Sequence, residues 1–143
     1  MKVHILKHLG GNKVPQIDAL LHKLDAAAPA VCQERLERLL EEDTFSLLVA
    51  EDTDGVIAGM LTLTACHTLT KSKYWIEDVV VDPDFRGQGI GRELVKAAIA
   101  QVRQAEAHAV IYLTSNPSRT AARALYRSEG FEEYETGVFR TII

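Results

Sequence analysis

Residues 79–96 read VVVDPDFRGQGIGRELVK, and more of the fold can be predicted from this stretch than from any other. It opens with three valines, turns at Asp82-Pro83 and then has glycines at positions 87, 89 and 91. After the turn, residues suited to a packed face recur at helical spacing, namely Gly91, Leu94, Val95, Ala98 and Val102. The pattern predicts a strand, a glycine-rich turn and a helix.

The glycine-rich turn is suited to bind a phosphate group. Glycines lack a Cβ atom, so Gly87, Gly89 and Gly91 allow backbone N–H groups to approach a ligand closely. The N–H groups at a helix N-terminus are unpaired and lie at the positive end of the helix dipole. Arg86 and Arg92 add a positive charge on either side. The sequence therefore predicts an anion site at the start of this helix.

Two common phosphate-binding motifs do not fit the turn. The Walker A motif ends in Gly-Lys-Ser/Thr, and no such ending is present. The dinucleotide motif G-x-G-x-x-G would need a glycine at Arg92 when counted from Gly87, or at Leu94 when counted from Gly89. The spacing that is present is Arg-x-x-Gly-x-Gly over residues 86–91, after a valine-rich strand and an Asp-Pro turn.

This spacing resembles the acetyl-coenzyme A motif of the GCN5-related N-acetyltransferase (GNAT) superfamily. Residues 125–131, LYRSEGF, are similar to the Leu-Tyr-x-x-x-Gly-Phe signature of the same superfamily. The two motifs occur in the expected order over roughly the C-terminal half of the chain. The resemblance implies an α/β GNAT fold, with a mixed, mainly antiparallel central sheet of about six to seven strands flanked by about four helices. It also implies acetyl-CoA as the co-substrate.

Composition and charge narrow the class of protein. The 143 residues are predicted to form a single GNAT domain, residues 1–143. A net charge of −4 disfavours a nucleic acid or an anionic membrane as partner. Cys32 and Cys66 lack the spacing of metal ligands, so no metal is predicted and both are expected to be buried. With no signal peptide or membrane span visible, we expect a cytoplasmic protein, and a homodimer remains possible.

Hydrophobic periodicity predicts the order β, two helices, a β meander, βα, βα and a closing hairpin, with helices on both sides of the sheet. Gly59, inside a strand, indicates a bulge or a close backbone approach. Ser118 is the predicted N-cap of the last helix. The predicted ranges after the opening strand are helices near 14–24 and 32–40, strands 45–50, 56–65, 74–81 and 109–114, a helix at 119–128, and hairpin strands 131–134 and 138–142.

Two adjacent acids, Glu77 and Asp78, interrupt the apolar strand 74–81. Buried acids without partners are costly, so an exposed pair or a salt bridge is one interpretation. Because successive strand residues point to opposite faces, at most one of the two is expected in a substrate pocket. GNAT members commonly carry a carboxylate here as general base, and the resemblance implies this role for Glu77, with Asp78 as second choice. The run IEDVVV is specifically similar to glucosamine-6-phosphate N-acetyltransferases.

The resemblance implies direct attack of a primary amine on the thioester in a ternary complex. In such a site Tyr126 matches the general acid that protonates the departing thiolate; the alternative is a core tyrosine that packs beside Leu125. The main chain of the last valines of the strand pairs with the pantetheine arm, and the glycine turn binds the pyrophosphate. The implied cofactor-binding residues are Val79, Val80, Val81, Arg86, Gly87, Gln88, Gly89, Ile90, Gly91 and Arg92.

The sequence leaves alternatives for the phosphate ligands, the acceptor, the acyl donor and the choice between an enzyme and a binding domain. Many GNAT members have an asparagine seven residues before the tyrosine, where this chain has Arg119, so Arg119 and Arg123 are alternative phosphate ligands. The acceptor is a small molecule, peptide or protein amine of unknown identity, and His22, Arg35 and Arg38 are candidates to contact it. Longer acyl donors or hydroxyl acceptors are a second enzymatic interpretation. An acyl-CoA-binding sensor or a non-catalytic GNAT-like interaction domain is the alternative to an enzyme.

Overall fold

The computed structural model describes residues 1–143 and contains one five-stranded sheet in the order β1-β2-β3-β4-β5. Strands β1 to β4 pair antiparallel, and β5 joins β4 in parallel. This confirms the mixed, mainly antiparallel sheet, although it has fewer strands than expected. The strands are β1 (Lys2–Ile5), β2 (Phe45–Glu51), β3 (Ile57–Ala65), β4 (Lys73–Val81) and β5 (Val110–Leu113).

Four helices cover the two faces of the sheet, as predicted. One face packs against α3 and α4, and Leu61, Leu94 and Val95 lie fully buried in that core. The other face packs against α1 and α2 through a smaller core that includes Ile17 and Met60. We refer to these as the α3 face and the α1 face. The helices are α1 (Lys13–Leu24), α2 (Gln33–Glu41), α3 (Ile90–Ala105) and α4 (Thr120–Ser128), with a short 3-10 turn at Pro83–Phe85.

Gly59 marks a close approach between the sheet and α3, as its position inside a strand predicted. A Cβ atom at this position would lie 3.2 Å from side-chain atoms of Ile90 and Leu94, and 3.1 Å from the carbonyl oxygen of Val80. These distances are shorter than van der Waals contact. The glycine therefore lets the first turn of α3 lie directly on the sheet.

Polar contacts attach α1 to the β2–β3 turn. Gln16 accepts a 2.7 Å hydrogen bond from the N–H of Ile57 and donates a 3.1 Å bond to the carbonyl of Gly55. Lys13 donates to the same carbonyl at 3.2 Å. At the other end of α1, Lys23 lies 2.5 Å from Asp82 in the turn that follows β4. The helix thus spans the α1 face from one turn to the next.

The predicted closing hairpin is wrong. Residues 131–143 form no strand, and the side chains of Tyr134 and Phe139 are 66% and 98% exposed. A two-residue turn at Thr136-Gly137 would need a positive φ angle, and Gly137 is not among the residues that have one. The chain therefore does not reverse there to pair with itself.

Two smaller predictions are also wrong. Cys32 and Cys66 are exposed rather than buried, because Cys32 precedes the first turn of α2 and Cys66 follows the end of β3. Ser118 does not cap α4: Asn116 accepts bonds from the N–H and the hydroxyl of Ser118, at 3.0 and 2.9 Å, and Arg119 occupies the N-cap position. No helix of the structure has the length and apolar character needed to cross a membrane.

Candidate active site

A β-bulge divides β4 into two halves. Thr62 pairs with Glu77 and Met60 pairs with Val80, so β4 contains one more residue than β3 between these two pairs. Asp78 lies in this interval with a φ angle of 53°, in the left-handed region that non-glycine residues rarely adopt. It is the only residue other than glycine with a positive φ angle.

The bulge changes which residues of β4 face which side. Before it, Tyr74 and Ile76 are buried in the core of the α3 face. After it, Val80 is buried in the core of the α1 face, although regular alternation would place it with Ile76. The extra residue shifts the alternation by one position.

Both acids consequently lie on the α1 face. Residues directly opposite one another on antiparallel strands share a face, and Thr62 lies opposite Glu77. The Thr62 hydroxyl also donates a 3.0 Å hydrogen bond to the carboxylate of Asp78. The expectation that the two acids point to opposite faces of the sheet is therefore wrong.

The two carboxylates influence each other. Neither takes part in a salt bridge, although both residues are exposed. The protein atoms packed beside Glu77 raise the pKa of its carboxyl by desolvation, and the negative charge of Asp78 raises it further. Glu77 therefore binds a proton more readily than an isolated glutamate does.

Beyond the bulge, β4 and β5 separate. Their parallel pairing runs only from Lys73 with Val110 to Ile76 with Leu113. After the bulge, Val80 and Val81 pair with β3, and none of residues 79–81 pairs with β5, which leaves one backbone edge available. This edge lines a cleft of about 660 Å³, and residues 118–122 of the α4 region form part of the opposite wall.

The glycine-rich turn forms one end of this cleft. Gly87 and Gly89 both have φ angles of 77°, and Gly89 is the N-cap of α3. The backbone N–H groups of residues 87–92 donate to no group of the chain. A Cβ atom on Gly91 would lie 3.3 Å from Leu125, so this glycine allows α3 to pack closely on α4.

Of the ten cofactor-binding residues that the resemblance implied, the cleft is lined by nine: Val79, Val80, Val81, Arg86, Gly87, Gly89, Ile90, Gly91 and Arg92. Gln88 is exposed and does not line it. Lys23 and Leu24 of α1 also line the cleft, and sequence analysis missed both. No local pattern indicated them, because they reach this end of β4 only through the packing of α1.

The arginines around the cleft differ in whether they form ion pairs within the chain. Arg119 lines the cleft and forms no ion pair. Arg92 donates to the Ser128 hydroxyl at 2.9 Å and pairs with Glu129. Arg123 pairs with Glu133. Of the two arginines considered for a phosphate, Arg119 is therefore the one that is available.

Tyr126 lies where α4 meets the cleft. Its side chain is 5% exposed and packs edge-on against Phe131, with ring centroids 6.1 Å apart. Its hydroxyl makes no hydrogen bond to the chain, and the residue lines the cleft. Burial raises the pKa of Tyr126, and the charge of Arg119 lowers it to a smaller extent. The hydroxyl therefore keeps its proton at neutral pH.

The acceptor candidates on the first two helices are placed elsewhere. The two ring nitrogens of His22 lie 2.7 and 2.8 Å from the carbonyl oxygens of Asp18 and Ala28, so His22 closes the loop after α1. These two bonds raise the pKa of His22. Arg35 and Arg38 are exposed on α2 and contact neither acid of β4. No group of three or more His, Cys, Asp or Glu side chains is arranged to hold a metal ion.

Comparison with known proteins identifies several relatives. N-alpha-acetyltransferase RimI of Mycobacterium tuberculosis is 31% identical over 84 residues, which cover 59% of this chain and 51% of that protein. The mycothiol acetyltransferase of Propionibacterium freudenreichii is 27% identical over 140 residues, which cover 93% of this chain and 44% of the relative. The chain thus spans about half the length, or less, of these two relatives.

The fold is shared with a solved acetyltransferase structure. The crystal structure of the aminoglycoside acetyltransferase meta-AAC0020, from an uncultured soil metagenomic sample, superposes with a TM-score of 0.82 at 24% identity, over 99% of this chain and 96% of that one. The model of the acetyltransferase (GNAT) family matches residues 17–131. That range contains β2 to β5, the glycine-rich turn and the Leu-Tyr-x-x-x-Gly-Phe signature, so the chain belongs to the GNAT family of acetyltransferases.

Proposed function

We propose that the chain is an acetyl-CoA-dependent N-acetyltransferase that acts on a primary amine by direct attack in a ternary complex. The observation that carries the proposal is the bulge at Asp78. It brings both carboxylates to one face of the sheet, and beyond it the edge of residues 79–81 is open toward the cleft. A single backbone feature thus serves an amine site and a donor site.

The cleft fits the co-substrate by its donor groups. The free N–H groups of residues 87–92 suit a pyrophosphate, since they lie at a helix N-terminus and the turn has no side chain at positions 87 and 89. Arg86 and Arg119 supply positive charge beside them. The open edge of residues 79–81 can pair with an extended amide-containing arm, as an added strand would. When bound, acetyl-CoA supplies the thioester carbonyl that the amine attacks.

Glu77 is the proposed general base. An amine acceptor is protonated at neutral pH, because its pKa is about 10, and it must lose a proton before it attacks. A carboxylate with a raised pKa accepts that proton more readily, directly or through a water molecule. Asp78, which is held by Thr62, contributes its charge and attracts the cationic acceptor. Two unpaired carboxylates on this face favour an amine over a neutral hydroxyl acceptor.

Tyr126 is the proposed general acid. Its hydroxyl is free of protein partners and retains its proton, so it can donate to the departing thiolate. The hydroxyl is not among the buried side-chain atoms that lack a hydrogen-bond partner, so it is accessible from the cleft that the residue lines. Packing of the Tyr126 ring against Phe131 fixes the position of the hydroxyl.

A thiol-release assay with acetyl-CoA and a panel of amines tests the proposal. We expect release that depends on the amine, and loss of most of it in Glu77→Gln. Glu41→Gln, an exposed glutamate at the end of α2, is the matched control and should retain wild-type rates. Tight binding of acetyl-CoA with no release for any amine would contradict the enzyme and support an acyl-CoA sensor.

A further inference from the structure

Three aromatic rings form a cluster on the α1 face of the sheet, where β4 lies beside β5. Trp75 lies opposite Tyr112 on the parallel strand, and their rings stack with centroids 5.1 Å apart. The ring of Tyr134 meets that of Tyr112 edge-on, with centroids 5.9 Å apart. Tyr74 and Ile76, on either side of Trp75, are buried in the core of the α3 face, so Trp75 points to the α1 face. We call the three rings the aromatic platform.

The platform belongs to neither hydrophobic core. The core of the α1 face includes Val80 at the far end of β4, but neither this core nor that of the α3 face contains any of the three rings. Trp75, the only tryptophan of the chain, is half-buried, and so is Tyr112. Large aromatic side chains contribute most where their surface is buried, in a core or against a partner. Rings outside both cores are therefore available to a ligand.

A lysine without a counter-ion lies at the platform. The Nζ atom of Lys73 is 5.5 Å from the ring centroid of Trp75 and 5.2 Å from that of Tyr112. Lys73 takes part in no ion pair with a carboxylate of the chain. Aromatic rings attract an ammonium group but do not neutralise it. The charge of Lys73 is therefore positioned by the rings and remains free to pair with an anion.

The two acids of β4 lie beyond the rings on the same face. The pairing of β4 with β3 is regular from Tyr74 to Glu77, so Trp75 and Glu77 point to the same side. Side chains on one face of a strand are about 6.5 Å apart, which places the Cα atoms of Lys73 and Glu77 about 13 Å from each other. Along this line the face presents a positive charge, then stacked rings, then the negative charges of Glu77 and Asp78.

This order of groups is complementary to one kind of amine. The ammonium of an acceptor is attracted to Glu77 and Asp78, and a flat body next to it can pack on the rings. An anionic group at the other end of the molecule can pair with Lys73, whereas a second ammonium would be repelled there. Ligand sites commonly combine an aromatic surface with a few polar groups that fix the orientation of the ligand.

We propose that the acceptor is a primary amine with an aromatic body and an anionic group, a carboxylate or a phosphate, at the end remote from the amine. Lys73, Trp75 and Tyr112 are its specificity-determining residues. The inference rests on the proposed N-acetyl transfer and adds the chemical class of the amine to it.

The transfer itself follows the proposed mechanism. The carbon–sulfur bond of the thioester breaks and a carbon–nitrogen bond forms. The ammonium gives up two protons: one passes through Glu77 to the solvent, and the other restores the proton that Tyr126 donates to the thiolate. The aromatic body and the anionic group are not changed, so the platform binds the acceptor without taking part in the chemistry.

Three amines that differ only at the remote end test the role of Lys73 in the thiol-release assay. They are para-(aminoethyl)benzoate, phenethylamine and para-(aminoethyl)benzylamine, which carry a negative charge, no charge and a positive charge at that end. We expect kcat/KM to fall in this order, with the benzoate preferred to phenethylamine about two- to fivefold, as for a partly exposed ion pair. Tyramine phosphate, compared with the benzoate, shows which of the two anions is preferred.

Lys73→Gln should remove the preference for the benzoate, and Lys73→Glu should invert it in favour of the diamine. Lys96→Gln, at an exposed lysine of α3, is the matched control and should keep the wild-type order. Circular dichroism checks that each variant is folded. Equal kcat/KM values for the three amines in wild type, or an unchanged order in Lys73→Gln, would overturn the proposal and leave the proposed acetyl transfer standing.

The fluorescence of Trp75 reports binding at the platform whether or not an acetyl group is transferred, because the chain has no other tryptophan. In the presence of CoA, which carries no acetyl group, para-(aminoethyl)benzoate should produce a saturable change, with a weaker Kd in Lys73→Gln. Tyr112→Leu keeps the fluorescent ring and should weaken binding of the benzoate more than that of aminohexanoate, an aliphatic amine with the same two charges.

The two measurements together distinguish failure of this inference from failure of the proposed function. Saturable binding that depends on Lys73, without transfer to any amine, would support the platform as a ligand site and contradict the proposed activity. Transfer to these amines without any change in the fluorescence of Trp75 would support the activity and show that the acceptor does not bind at the platform.

Discussion

The hydroxyl of Thr62 donates a 3.0 Å hydrogen bond to the carboxylate of Asp78, across the bulge that separates the two halves of β4. Thr62 is itself buried, with 7% of its surface exposed, and is the only buried polar side chain in the chain. The bond ties the strained backbone at Asp78 to the neighbouring strand. It thereby links the conformation of the bulge to the placement of the two acids.

Thr62→Val should test how much the bulge depends on this bond. The substitution keeps the shape of the side chain and removes the hydroxyl, so we expect a loss of about 1 kcal/mol in the free energy of unfolding. Turnover should fall as well, because Asp78 is no longer held beside Glu77. Urea unfolding and initial rates measure the two effects. Thr64→Val, on the same strand and face without a side-chain bond, should change neither.

Asp78→Asn should move the pH–rate profile. The negative charge of Asp78 contributes to the raised pKa of Glu77, after the larger effect of burial. Removing that charge lowers the pKa of Glu77, so the base is deprotonated at lower pH and the acidic limb of kcat/KM should shift to lower pH. Asparagine can still accept the bond from Thr62. An unchanged acidic limb would mean that Glu77 is not the group that titrates.

Glu77→Gln should also flatten the dependence of stability on pH. Since the pKa of Glu77 is higher in the folded state than its ordinary value of 4.5, folding favours the protonated carboxyl. This contribution is complete below pH 4.5 and is lost as pH rises through the folded-state pKa. The neutral amide does not titrate, so the variant should lose less stability than wild type between pH 4.5 and 7. Thermal melts across this range provide the measurement.

Gly89→Glu should abolish the binding of acetyl-CoA. It places a carboxylate beside the free N–H groups of the glycine-rich turn, where an anion is expected. A Cβ atom at this position would meet no atom within 4 Å, but the φ angle of 77° costs about 1–2 kcal/mol for any residue with a Cβ atom. Gly89→Ala carries the same strain without the charge and is the control. Calorimetry that gives equal affinities for the two variants would exclude a charge effect and contradict the assigned site.

Tyr126→Phe should separate an enzyme from a binding domain. The hydroxyl has no partner in the chain, so its removal should barely change the melting temperature. A positioned acid is worth about 10²–10⁴-fold in rate, and turnover should fall toward that range while acetyl-CoA affinity changes little. A more acidic leaving thiol needs less help from a proton donor, so the substitution should reduce the rate less with an acyl donor that carries such a thiol. Wild-type rates with every donor would show that the tyrosine is structural.

Most of the regular structure could be predicted from local pattern. The bounds of β2 to β5 and of α4 differ from the predicted ranges by at most one residue at either end. The prediction of two hairpin strands failed at residues 131–143, although the pattern of apolar and polar residues there is also compatible with strands. A strand exists only when a second edge pairs with it, and the alternation of one segment carries no information about its partner.

What the sequence by itself determined is the strand, glycine turn and helix of residues 79–96. That unit is local: Gly87 and Gly89 supply the left-handed turn, and the apolar spacing that follows defines the buried face of α3. What only the tertiary structure decided is the arrangement of the acids and the approach of Lys23 to Asp82. The register between β3 and β4 creates the bulge, and register depends on contacts between segments far apart in the chain. Strict alternation holds only within a regular strand, and it therefore predicted that Glu77 and Asp78 point to opposite faces. In the paired sheet the bulge places both acids on the same face.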